Sequence, residues 1–476
     1  MKWYQVVVVG LALAQVARAD THVPYRANLR GVGSMSTEQF LTRKLTTRLH
    51  TEGRVSLRFT RQKPATWKAT TVRGGVERGD PQSVTLLQGE AIVRGIAYPA
   101  AASLVDGRFQ VVFPGRERGS RGSRQRIYTL TGSPSDQGEP SVRVSAAPAA
   151  IFGGKSCAHA DDVNTTAANS RIVRPLTASS KNDRTYRVIT IGTVADAELY
   201  QRHGAGTNAF VASIINTAEA LYDRQLGIRF EIARQVAYGE ASSSALSESD
   251  PGALLSAFAH RSESPAILGP GSEAFDSDID VKHLFSGKDL DGTTVGIAYI
   301  GVVCYQPRSA YGLTQATSSA AAPYYFAHEI GHNLGARHDL QAWWGMSVMS
   351  PTVSIGSTFS DLSIAQINEH LSAFGSCLEP KTMPPNLSSA ILTLMSVRDR
   401  AGVRFRGRLL SSAHGPIEGV KIRLLIGART VRVTTNSEGA YSYLSRQRGV
   451  SDRVKVLATT EGGEVRSRTL VLRSSR

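Results

Sequence analysis

Hydrophobic and polar positions change their period several times along the chain. An apolar run from Val6 to Val16 follows Lys2 and ends at Ala17-Arg18-Ala19. A cationic start, a run too short to span a bilayer and a small-x-small site predict a secretory signal peptide over residues 1–19. No later run is long and apolar enough to cross a membrane, so the mature chain is expected to be exported and to lack a membrane span. From residue 20 to 150 the period is two. Val55-Ser56-Leu57-Arg58-Phe59 alternates as a half-buried strand does, and Asp106-Gly107 marks a hairpin turn after Leu104-Val105. The basic run Arg116 to Arg126 reads as a solvated loop, with a processing site as the alternative. From about Ser133 to Asn182 the residues are mostly small and polar, and 151–183 is expected to be a linker, with Arg171, Arg174 and Arg184 as cleavage points.

Between 184 and 380 both periods occur. Tyr186 to Ile191 reads as a strand. Phe210, Ile214, Ala218 and Leu221 mark one stripe of a helix over Thr207 to Tyr222, and Ile228 to Ile232 is a strand again. Strand, helix, strand predicts a βαβ unit, hence an α/β (α+β) domain. Asp250-Pro251 is an N-cap followed by a first helical residue, and Val295 to Ile300 is a further strand. From 381 to 476 short alternating segments return, among them Val420 to Leu424, Thr430 to Thr434, Val454 to Val456 and Leu470 to Leu472. They predict a β-sandwich.

The length of 476 residues allows two to four domains. The net charge of +16 admits polyanionic partners. It is read as spread over the chain, without aromatic residues interleaved in a basic motif, so no specific nucleic-acid contact is expected. The three cysteines are Cys157, Cys304 and Cys377. In an exported chain an odd number leaves one thiol to explain.

The candidate chemistry lies in Ala327-His328-Glu329-Ile330-Gly331-His332-Asn333-Leu334-Gly335-Ala336-Arg337-His338-Asp339. Four residues apart on a helix, His328 and His332 share a face and are able to hold one ion. Gly335 lets the chain leave the helix in a conformation other residues resist. The turn that follows returns His338 as a third nitrogen. Three imidazoles leave one tetrahedral position of Zn²⁺ open, as catalytic rather than structural sites do. Asp289 and Asp291 raise a Ca²⁺ loop, but their spacing stops short of an EF-hand and a solvated turn is the better reading. His283 reads as a structural histidine, not a fourth ligand.

With Asp339 after the third histidine, this stretch resembles the metzincin zinc metallopeptidases, and among them the reprolysin or ADAM-type (adamalysin) family. Ser347-Val348-Met349-Ser350-Pro351 is similar to the family's Met-turn, with Met349 as its methionine and Met346 as the alternative. Phe359 to Ser363, the helix-like Ile364 to Leu371, and Cys377-Leu378 are similar to the family's ending. Asp280 to Gly292 resembles the approach to its edge strand, where a substrate peptide adds by backbone hydrogen bonds. The resemblance implies a secreted endopeptidase acting on proteins or peptides. His328, His332 and His338 would be its zinc ligands and Glu329 its general base. It also implies a Cys304–Cys377 disulfide. Gly89 to Gly95 is weakly similar to the family's propeptide, so 20–150 is expected to be a β-rich propeptide of a latent zymogen. Two readings of Cys157 stay open: a cysteine switch that fills the fourth zinc position, or a thiol that is free or paired between molecules. Residues 407 to 441 loosely resemble carboxypeptidase regulatory-like modules, with a generic Ig-like sandwich as the equal alternative. The runner-up function is an exported metal-binding or adhesion protein with little turnover. A third is a basic protein whose main role is contact with polyanions, without metal dependence.

Overall fold

Three stretches of alternating sequence become sheets, and two of those sheets clasp one long helix. The computed structural model describes residues 45–49, 53–63, 67–73, 76–80, 84–105, 108–119, 122–135, 138–148, 156–160, 185–239, 246–262, 279–339, 347–351, 358–382, 390–399, 401–411, 415–446, 453–460, 463–466 and 470–471. The signal peptide at 1–19, Asp106-Gly107, Arg171, Arg174, Arg184 and Met346 lie outside the described residues.

The N-terminal strands are β1 (Leu45–Leu49), β2 (Gly53–Lys63), β3 (Lys68–Arg73), β4 (Val76–Gly79), β5 (Val84–Val93), β6 (Ile96–Val105), β7 (Arg108–Gly119), β8 (Gly122–Ser135), β9 (Gly138–Pro148) and β10 (Ser156–Ala160). Seven of them form an antiparallel sheet in the order β1-β2-β5-β6-β7-β8-β9. Val55, Leu57 and Phe59 point into one core with Leu87, Val111, Phe113 and Leu130, as the period of two requires. Val105 pairs with Arg108 across the two residues at 106–107.

Three expectations change here. The basic run Arg116 to Arg126 is not a loop. It extends the β7–β8 hairpin, paired from Phe109↔Gly132 out to Gly119↔Gly122. The small, polar stretch from Ser133 to Asn182 contains β9, paired along β8, and the part of it expected to be a linker contains β10. And β3 and β4 leave the N-terminal sheet altogether: β3 pairs in parallel with a strand of the next domain. Local composition carries no record of a strand's partner, which is why sequence reading keeps these segments apart.

That next domain contains β11 (Thr185–Ala195), α1 (Ala197–His203), α2 (Thr207–Leu226), β12 (Ile228–Tyr238), α3 (Pro251–Ser262), β13 (Val281–Ser286), β14 (Thr294–Tyr299), β15 (Tyr311–Gln315), α4 (Ala322–Asn333), α5 (Asp361–Phe374) and β16 (Lys381–Thr382). β11 and β12 lie side by side in parallel, joined through α2, as the βαβ pattern predicts. The sheet runs β10-β14-β15-β13-β11-β12-β3-β4, with β16 paired to β11. Gly227, at φ +62°, caps α2, a conformation glycine adopts without penalty. The Asp250 carboxylate accepts the Ala253 amide at 2.7 Å and so caps α3. α2 is buried on more than the stripe its sequence marks: Asn208, Val211, Ala212, Ile215, Asn216 and Glu219 are buried too. The second buried face meets the N-terminal sheet, whose Leu86, Val112 and Ile127 share a core with it. β14 corresponds to the expected edge strand but is not an edge here, because β10 pairs with its outer side in parallel.

The last strands are β17 (Ala390–Leu392), β18 (Met395–Asp399), β19 (Gly402–Ser411), β20 (Gly415–Pro416), β21 (Lys421–Ile426), β22 (Arg429–Thr434), β23 (Ala440–Ser445), β24 (Arg453–Thr460), β25 (Gly463–Arg466) and β26 (Leu470–Val471). They make two sheets, one centred on β19 and one on β21 and β24. Val403, Phe405 and Leu409 of the first share a core with Ile422, Leu424 and Val456 of the second. Residues 381–476 carry 18 Lys and Arg against 6 Asp and Glu, so most of the +16 sits here rather than being spread along the chain. Arg404, Arg406 and Arg408 project at alternate, exposed positions of β19. Among the described residues no helix is long and apolar enough to cross a membrane.

Cys304 and Cys377 are joined by a disulfide, with Cα atoms 5.6 Å apart and a sequence separation of 73. It ties the chain after β14 to the end of α5. Cys304→Ser with Cys377→Ser is expected to lower the unfolding free energy by about 4 kcal/mol in the chain-entropy account. The measurement is the denaturant midpoint, and reductant should shift the parent protein and leave the double variant unmoved.

Candidate metal centre

α4 starts with Pro323 in its first turn, where a missing N–H costs nothing. All twelve of its residues are buried. Its apolar side chains anchor it: Phe326 packs edge-on to Phe230 and against Phe285. The Tyr222 hydroxyl of α2 donates to the Ala327 carbonyl at 2.6 Å. Burial, and secondarily the charge of Glu329, raises the Tyr222 phenol well above its ordinary pKa, which keeps it a neutral donor.

The end of α4 is built as carefully as its middle. Gly335, at φ +90°, turns the chain, with its amide donating to the His332 carbonyl at 2.8 Å. A Cβ there would come within 3.0 Å of His370. The carbonyls that a helix C-terminus leaves without partners are taken by the chain after β14. Gly301 donates to His332 at 2.8 Å, and Val302 and Val303 donate to Asn333 at 3.0 and 3.1 Å. The Asn333 amide nitrogen donates to Tyr299 and Tyr311 at 2.9 and 3.0 Å. The helix end is thereby fixed to β14 and β15.

On this frame His328 and His332 project from one face of α4, and His338 comes back toward them after the turn. The Nε2 atom of His328 lies 2.9 Å from that of His332 and 3.1 Å from that of His338. Among the described residues these three form the one group of candidate metal ligands, and their ligand atoms all lie within 4.8 Å of one another. The other nitrogens of two rings are held by backbone. His328 Nδ1 donates to the Val348 carbonyl at 2.7 Å and His332 Nδ1 to the Ala336 carbonyl at 2.8 Å. With Nδ1 carrying the proton, each Nε2 lone pair is presented to the common centre. A tetrahedral zinc at about 2.0–2.1 Å from each nitrogen needs ligand atoms about 3.3 Å apart. The donor set, the spacing and the backbone acceptors therefore fit Zn²⁺.

Glu329 is fully buried beside the histidines. Its carboxylate lies against the backbone of β14: a Cβ on Gly296 would come within 2.4 Å of Glu329 Oε1. Met349 is fully buried beneath the helix, and a Cβ on Gly331 would come within 2.4 Å of its Sδ. Asp339 is buried, and its amide donates to the Met349 carbonyl at 2.7 Å. The segments carrying His338 and Met349 are thus stitched together.

His283 stands apart from the cluster, its Nε2 2.8 Å from Thr314 Oγ1. Burial lowers its pKa to about 3, so it is a neutral core histidine. Asp289 and Asp291 belong to no group of three candidate ligands among the described residues. Cys157 lies on β10, and its side chain is outside the described set. The sequence reading missed Tyr222 and Asn333. Tyr222 continues the apolar stripe of α2 at Ala218 and Leu221, where a phenol carries a polar handle that must be met when buried. Asn333 follows the second histidine directly and offers no periodic signal.

Residues 183–361 match the family model Reprolysin_5, metallo-peptidase family M12. Two curated relatives, the zinc metalloproteinase-disintegrin-like proteins brevilysin H2a and brevilysin H2b of Gloydius brevicauda, are each 41% identical over 93 residues. The matched stretch covers 18% of this chain and 22% of each relative, so the chain spans about a fifth of their length. A solved structure named "Structure of a chaperone-substrate complex" overlaps 41% of this chain and 35% of that chain at 14% identity and a TM-score of 0.29, too slight an overlap to bear on the fold. The family match spans the three histidines, Asp339 and Met349, and on it residues 183–361 are a reprolysin-type metzincin domain of metallopeptidase family M12.

Proposed function

We propose that the protein is a secreted zinc metalloendopeptidase, made latent, that hydrolyses peptide bonds within proteins. The observation that carries this is the convergence of three histidine Nε2 atoms beside a fully buried Glu329. His328, His332 and His338 would hold the ion. When bound, Zn²⁺ polarises a carbonyl oxygen and lowers the pKa of water. Glu329 takes the proton of the attacking water and passes it to the leaving amine nitrogen as the C–N bond breaks. The Val348 and Ala336 carbonyls hold the ligand rings in one tautomer. Met349 packs under the helix without reaching substrate. Secretion is supported by the signal peptide expected over residues 1–19. The C-terminal strands are read as a β-sandwich accessory domain.

Latency is supported by β10. It occupies the outer side of β14, where an extended substrate would otherwise add by backbone hydrogen bonds. The register passes from Ser156↔Thr294 to Ala158↔Ile297, so Cys157 faces the stretch that contains Gly296. Gly296 is the residue against which Glu329 packs. This places the Cys157 backbone one strand away from the proposed base and supports the cysteine switch over an unrelated thiol.

Three measurements test the reading. Glu329→Ala is expected to lower casein cleavage by at least about a hundredfold, within the range for general-base loss. Zinc content should stay unchanged, and a chelator should abolish activity of the parent. Cleavage that survives the substitution would remove the mechanism. Gly296→Ala is expected to fold, because the nearest atoms it displaces, Oε1, Cδ and Cγ, all belong to the Glu329 side chain and none to backbone. It should lower kcat about tenfold or more through misplacement of the base. Cys157→Ala is expected to raise the activity of the uncut chain, and equal activity in both forms would exclude the switch.

A further inference from the structure

The second buried face of α2 is the least expected surface in the molecule. Asn208, Ala212, Ile215, Asn216, Glu219 and Asp223 recur at helical spacing along it, and each polar group there is met by the N-terminal strands. The Asn208 amide nitrogen donates to the Thr70 carbonyl at 2.9 Å. That of Asn216 donates to the carbonyls of Leu87 and Ala102 at 3.2 and 3.0 Å, and Gln88 donates back to the Asn216 side chain at 2.9 Å. Glu219, with no exposed surface, is paired with both Arg61 and Lys63 of β2. Lys63 also donates to the Phe230 carbonyl at 2.8 Å, while the Phe230 amide donates to Glu219 at 3.1 Å. Arg61 reaches on to Asp223 at 3.5 Å. Burial pushes the Glu219 carboxyl up, and the pull of Lys63 and Arg61 outweighs it, holding the group below the usual carboxylate range.

The contact continues through the backbone. β3 pairs with β12 from Arg234↔Lys68 to Tyr238↔Val72, and the Gly239 amide donates to the Val72 carbonyl at 2.7 Å. Trp67 donates to the Gln235 side chain at 2.7 Å, and Arg234 to Glu77 at 2.7 Å. Between these polar links, Leu86, Val112 and Ile127 share one apolar core with Val211 and Ile215. Release of the N-terminal strands would open a sheet edge, bare this core and separate buried charges from their partners.

We infer that residues 45–148 are a permanent partner domain of residues 185–382, docked on α2 and β12, and not a pro-segment that is shed. The inference rests on the peptidase reading only in taking β14 as the substrate edge. On that reading, the element that must move to admit substrate is the five-residue β10, and the domain before it stays in place.

The test uses the full chain with Glu329→Ala, which is inert whether or not the peptidase reading holds. A recognition sequence for a specific protease is placed between residues 161 and 184, and the protein is cut and passed over a sizing column. The halves are expected to elute as one species and to melt in one transition. Two separate species, with the C-terminal half melting cooperatively by itself, would overturn the inference. A second version with a further cut between 149 and 155 frees β10 from the domain before it. It should still show residues 45–148 bound; their loss would mean that β10 alone was the tether. In the singly cut protein, Glu219→Gln is expected to weaken association about a hundredfold or more, as loss of one partner of a buried ion cluster does. Circular dichroism of the uncut variant, where the tether keeps the halves together, shows whether it folds. Association unchanged within about twofold in a folded Glu219→Gln protein would also count against the proposal.

Discussion

A helix buried on every side has no solvent face on which to leave a polar group, and α4 is such a helix. A buried polar atom left without a partner is costly there. This explains why the neighbourhood of the histidines is so largely backbone. The Val348 and Ala336 carbonyls take the ring N–H groups, and the amides of Gly301, Val302 and Val303 take the last helix carbonyls. Backbone partners have no rotamers to lose. The two imidazoles held this way, His328 and His332, lose little further ordering entropy when an ion arrives. The same burial brings Glu329 against Gly296, since only a residue without Cβ leaves room for a carboxylate there.

How much of this was legible in the sequence depends on the range of the interaction. The approach of His328, His332 and His338 follows from helix pitch and one glycine, and both are local. The βαβ unit follows from a change of period over some fifty residues, and the helix cap at Asp250 from a single dipeptide. Partner choice between distant strands is different. Ser-Cys-Ala-His-Ala has no β-branched or aromatic residue to announce a strand, and β10 exists because β14 offers it an unpaired edge. The departure of β3 and β4 from the N-terminal sheet is likewise set by the edge of β12. The helix α2 shows a third case. Its apolar stripe predicts one buried face, while Asn208, Asn216 and Glu219 on the other carry no apolar signal of the partners that bury them.

The molecule therefore divides differently in space than along the chain. The sequence changes character near 150 and again near 184, yet the central sheet includes strands from both sides of those points. The two-sided burial of α2 packs the first two sheets against one helix, with ion pairs between β2 and α2. The C-terminal sheets close a core of their own and carry most of the positive charge.

Gly331 and Met349 occupy adjoining space beneath the metal centre, the one on α4 and the other on the segment that also holds His328 through Val348. Volume added at 331 must be subtracted at 349 or transmitted to the helix. The two positions are thus free to vary only as a pair: a larger residue at 331 calls for a smaller one at 349, and among homologous chains the covariation of these two sites should outlast the similarity of the loops around them.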